Sequence, residues 1–186
     1  MSPLYLKPIL KAIPLLIALH LLWFFIFHYT PAEPGYSPPI HLFLGDAINL
    51  LIHEAGHFFF SWLGRTLYLM GGSITQILLP AVIAFFVWWN HSEHTVYPLF
   101  WTGWNICNVS IYVADAPFRK LRLIKAGLTH DWHAIMNRLD MMESAVMIGD
   151  VLHWIGIAVC AFAIAHGVKM LVMDVRYARE ESTDRE

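Results

Sequence analysis

Charged side chains are scarce. Of 186 residues, 14% are Asp, Glu, Lys or Arg and 58% are hydrophobic. An ordinary soluble domain carries about 25% charged residues, so this composition excludes that class and points to a chain with several membrane segments. A basic surplus is also missing. The formal net charge is -2, which excludes nucleic acid as a partner, because phosphate binding needs clustered Lys and Arg. Cysteine is nearly absent. Cys107 and Cys160 both fall in apolar stretches without metal-knuckle spacing, so neither a disulfide framework nor a cysteine-based zinc site is expected, and the two read as small packing residues. No internal repeat is present.

Five apolar segments remain once the polar stretches are set aside. They run from about Ile13 to Phe27, Leu42 to Leu63, Ile74 to Trp89, Tyr97 to Ala116 and Ala145 to Met173. The expected fold is all-α: a polytopic membrane bundle of about five transmembrane helices in one domain over residues 1–174. A Pro/Gly loop from Thr30 to Pro39 follows the first segment, which reads as a retained signal anchor. A polar stretch over 118–143 holds Arg119, Lys120, Arg122, Lys125 and Arg138. Positive-inside logic places that stretch, Arg65 and the N-terminus in the cytoplasm of a cell (inner) membrane protein. Five spans then send the tail outward despite Arg176, Arg179 and Arg185. That conflict leaves room for one re-entrant segment. Residues 175–186 are expected to be disordered.

Within the second segment lies His53-Glu54-Ala55-Gly56-His57, an HExxH motif. On a helix the two His project from one face and can share a metal ion, with Glu54 beside them as a base. Ionisable groups in an apolar helix are costly, and their presence there marks a functional site. The same helix face carries Asp46, Asn49, Ser61 and Gly64. A second polar stripe, Thr102, Asn105, Asn108, Tyr112, Asp115 and Arg119, runs down the fourth segment. A third, Asp150, His153, Gly156 and Cys160, runs down the fifth. At ~1.5 Å per residue, His57, Asp150 and His153 reach similar depths. His130-Asp131-Trp132-His133 forms a further cluster in the polar stretch, and His91 and His94 share an outward loop. A catalytic zinc takes three protein ligands. The third is open among Asp115, His153, Asp150, His130, Asp131 and His133.

These motifs resemble the site-2-protease-like intramembrane zinc metalloproteases, the M50 class. The parallels are His53 to His57, then Gly71-Gly72, then Asn108 to Ala116 with Asp115 near its end. The resemblance covers about residues 42–120. It implies a Zn2+ held by His53, His57 and Asp115, Glu54 as catalytic base, and Asn108 with Gly71 and Gly72 in substrate binding. The implied activity is hydrolysis of peptide bonds in or near transmembrane segments, with a membrane protein or peptide as substrate and the lipid bilayer as surroundings. A zinc hydrolase acting on lipid, or a non-enzymatic metal-binding scaffold or conduit, are the rival readings. Glu54 separates the last of these, since a scaffold has no use for a base between the two ligands. Oligomeric state is not legible.

Overall fold

The computed structural model describes residues 6–29, 39–90, 92–121, 123 and 128–183, and among them every regular element is helical. The helices are α1 (Leu6–Phe27), α2 (Phe43–Phe60), α3 (Arg65–Trp89), α4 (Val96–Ala114), α5 (Asp131–Leu139) and α6 (Ala145–Thr183). Most of the Thr30–Pro39 loop, His91, Arg122 and Lys125 lie outside the described residues. Among the described residues three stretches are long and apolar enough to cross a membrane: Pro8–Phe27, Arg65–Trp89 and Met142–Thr183. α2 holds Asp46, His53, Glu54 and His57 within 18 residues, which dilutes its apolar character. α6 continues to Thr183, so the tail expected to be disordered is helical through that residue.

Side-chain contacts fix the helix directions. α3 turns back along α2, with Gly71 against Gly56 and Tyr68 against His57. The turn between them needs Gly64, whose φ of 86° lies in a region that costs other residues a Cβ clash. α4 turns back along α3, carrying Asn108 to Gln76. α6 turns back along α4, with Cys160 bonding Phe100 and His153 beside Ser110. α1 opposes α6: Leu15 meets Gly167, and Phe25 meets His153. Hence α1, α2 and α4 all point the same way, and successive apolar segments do not simply alternate. α2 begins level with Trp104, against which Gly45 packs, and runs past the end of α4. Lys11 pairs with Glu93 and Asp174, so the start of α1 lies at the opposite end of the bundle from Arg65 and Arg119. The sequence reading had placed these groups on one side.

Small residues set the closest approaches. At the α4–α6 contact, Gly103 lies against Cys160 and Gly156, and Gly149 against Ser110 and Ala114. Without a hydrophobic driving force between helices in lipid, such small-residue surfaces let backbones meet. Polar groups turn inward, as with buried Asn49, Gln76, Asn105 and His153, while Leu16, Phe58, Trp62 and Phe162 are exposed. This apolar exterior extends over several helices, far beyond the patches that soluble proteins tolerate.

Candidate metal centre

Near the far end of α4, three side chains from two helices converge. α2 supplies His53 and His57 one turn apart. α5 supplies Asp131 from its first turn. Their ligand atoms all lie within 4.8 Å of one another, and all three residues are buried. His53 Nε2 and His57 Nε2 lie 3.3 and 3.2 Å from Asp131 Oδ2. Two ligand atoms at ~2.0–2.1 Å from a tetrahedral zinc stand ~3.3 Å apart. The carboxylate therefore sits at ligand spacing from both imidazoles.

The far side of each imidazole is also engaged. His53 Nδ1 lies 3.1 Å from Gln76 Oε1, and His57 Nδ1 lies 2.8 Å from the Tyr68 carbonyl. Both acceptors require Nδ1 to carry the hydrogen. This leaves the Nε2 lone pairs facing Asp131, the arrangement that metal-binding histidines use. The Gln76 bond continues inward. Its amide donates to Asn108 Oδ1 at 2.8 Å, and Asn108 Nδ2 donates to Asp46 Oδ1 at 3.2 Å and to the Tyr29 hydroxyl at 2.8 Å. Because this line ends on a carboxylate, both amides have one satisfactory orientation, and the His53 tautomer follows from it. Asp131 Oδ2 accepts from the Tyr112 hydroxyl at 3.1 Å, while the Asp131 N–H donates back to the same oxygen at 3.0 Å. Burial pushes the Asp131 carboxyl up; in the metal-free protein the bonds that His53 and His57 donate to it once Nε2 also carries a proton outweigh this and hold it below the ordinary carboxylate range.

Two local devices build the site. A Cβ on Gly56 would strike the Gly71 carbonyl, and one on Gly72 would meet the His53 ring at 2.5 Å. Three glycines thus let α2 and α3 approach closely enough for Gln76 and Tyr68 to reach the imidazoles. The second device is Asp115. Its carboxylate accepts the N–H groups of Lys120 and Leu121 at 3.0 and 2.9 Å and pairs with His130 Nε2 at 3.2 Å. His130 is the N-cap of α5 and accepts the His133 N–H through Nδ1. Asp115 therefore pins the residue that begins the helix carrying Asp131.

Several expectations change accordingly. Asp115 stands outside this cluster; its oxygens accept from the turn after α4 and pair with His130, and Asp131 is the carboxylate that meets the two imidazoles. Gly71 and Gly72, expected in substrate binding, lie inside α3, where they pack against Phe60, Gly56 and His53. His153 bonds the Phe25 carbonyl and Ser110, and His133 bonds the Ala116 carbonyl and Asn137, so neither joins the cluster. Asp150 is exposed. Asn108 lies in the polar line behind His53. Gln76 escaped the sequence reading: a lone amide in an apolar helix, four residues after Gly72, was the available signal.

The cluster opens into a cavity of about 300 Å³ lined also by Glu54, Asp46, Asn108 and Arg65, with Leu50, Ile111, Leu121 and Leu128 among its apolar walls. Glu54 makes no short contact to another described side chain that would occupy its carboxylate. The site thus brings together three side chains that could hold a metal, a carboxylate beside them, and a cavity next to both. No protein-family model matches the chain, and comparison with curated proteins and with solved structures likewise finds no match.

Proposed function

We propose that the chain is a membrane-embedded zinc hydrolase that cuts peptide bonds in or near transmembrane segments. The observation that carries the metal is the convergence of His53, His57 and Asp131 with both Nδ1 atoms bonded away from it. Two nitrogens and one carboxylate oxygen make the mixed ligand set that suits catalytic zinc and leave a position open. When bound, zinc would acidify water and polarise a carbonyl. Glu54, next to His53 and facing the cavity, accepts the proton as water attacks the scissile carbonyl. The C–N bond then breaks, and Glu54 returns the proton to the departing amine. One water is consumed; its OH remains on the new carboxylate. Asn108 and the apolar wall position the chain being cut. In the bilayer, α1, α3, α4 and α6 cross in alternation and α2 sits offset between them, which places both ends of the chain on one side.

Glu54→Gln tests this reading. The variant should retain one zinc per chain and the wild-type melting temperature, yet lose hydrolysis of transmembrane peptides by roughly 10²-fold or more, the scale of a positioned base. Mass spectrometry of the products reads the outcome. Undiminished cleavage by Glu54→Gln would remove the base from the proposal, and zinc-loaded wild type that cuts lipid and no peptide would replace the substrate class.

A further inference from the structure

We infer that Arg65 selects substrates carrying a carboxylate close to the scissile bond. The inference rests on the hydrolase reading above and adds to it the chemical character of the substrate.

Arg65 is the first residue of α3, its side chain is exposed, and it lines the same cavity as Glu54, His57 and Asp131. Among the described lining residues it is the single Lys or Arg. Its guanidinium carbon stands 5.7 Å from the centre of the Tyr68 ring, and that ring stands 5.0 Å from the His57 ring. The guanidinium therefore lies no more than about 11 Å from a metal ligand. An extended peptide covers that distance in about three residues at ~3.4 Å each. The Tyr68 backbone is fixed by the bond from His57 Nδ1, so the stacked cation is held beside the site.

Among the described residues Arg65 forms no ion pair. Its planar donors are thus available for a ligand, and a carboxylate meets them with two parallel bonds. A membrane segment itself is uncharged, so the carboxylate must flank it: an Asp or Glu side chain at the membrane boundary, or the free C-terminus of a trimmed peptide. Arg65 at the exposed start of α3 is placed for such a group rather than for the apolar body of the substrate.

The test compares peptides identical except for one residue within three positions of the cleaved bond, Glu or Gln, all with amidated C-termini. A second set has Gln at that position and a free or amidated C-terminus, which separates the two carboxylate sources. Wild type should prefer a carboxylate peptide by about tenfold or more in kcat/KM, the value of a hydrogen bond to a charged group. Arg65→Gln should bring that ratio close to one, and Arg65→Glu should turn it toward a Lys-containing peptide, with zinc content unchanged in both. An unaltered ratio in Arg65→Gln overturns the assignment while leaving the hydrolase reading intact. Absence of any peptide cleavage by zinc-loaded wild type overturns both. Weaker binding of Arg65→Gln to phosphatidylglycerol vesicles, with the peptide ratio unchanged, assigns the residue to the lipid interface and also overturns the inference.

Discussion

Asp131→Asn and Asp115→Asn should separate cleanly in zinc binding. Asp131 Oδ2 lies within 3.3 Å of both imidazole Nε2 atoms. Asparagine keeps the volume but removes the charge, and its amide must divide between the Tyr112 hydroxyl and the metal. Losing a partner outside the ligand set costs about 10–100-fold in metal affinity. Losing a ligand should exceed that, so Asp131→Asn is expected to weaken zinc by about 100-fold or more, or ~2.8 kcal/mol at 1.4 kcal/mol per tenfold. Asp115→Asn acts through His130 alone and should stay within the 10–100-fold range. Its larger effect should be on stability. The carboxylate's own charge strengthens its bond to the His130 ring N–H, and such a bond contributes ~1.5–3 kcal/mol, whereas the amide oxygen can still accept one of the two backbone N–H groups. Purified protein in detergent, titrated with zinc against a competing chelator and checked by elemental analysis, measures both. Retention of stoichiometric zinc by Asp131→Asn together with its loss in Asp115→Asn would refute the ligand assignment and restore the one drawn from the family motif.

Two further outcomes follow from the same geometry. Gly72→Ala places a methyl group where the His53 ring lies; overpacking of this kind costs ~1–3 kcal/mol, so a lower melting temperature and weaker zinc binding are expected, and wild-type values for both would show that α2 and α3 can part without harm. The pH dependence of the metal-free protein should reflect the depressed Asp131 carboxyl. A group whose folded pKa is lowered stabilises fully above its ordinary value, here 3.8, and loses that contribution as pH falls through the lower folded value. Melting of chelator-treated protein should therefore show no loss from this group between about pH 7 and 4, with a decline below that Asp131→Asn lacks; a decline in wild type already near pH 6 that Asp131→Asn removes would contradict the sign.

The amino-acid sequence alone determined the helical class, the apolar segments and two of the three side chains of the candidate metal site. Low charge and long apolar runs dictate helices, because only internal hydrogen bonding satisfies a backbone away from water. HExxH is legible because both ligands lie one turn apart on one helix, where local periodicity decides which side chains share a face. The ends of the elements were less legible. α3 begins at Arg65, nine residues before the apolar run, since its two glycines are tolerated in a helix where they let helices touch. Only the tertiary structure brought Asp131, rather than Asp115, to the two imidazoles. Asp115 lies near the end of a motif resembling the family pattern, but its spacing from Asn108 is one residue short, and the chain uses its carboxylate to pin His130. Asp131 comes from a nine-residue helix whose placement depends on Asp115, His130 and Tyr112 together. Direction was likewise a tertiary matter. That α1 and α2 run the same way follows from which faces pack, through Leu15 on Gly167 and Gly45 on Trp104, and hydropathy read along a chain carries no information about which helix faces meet.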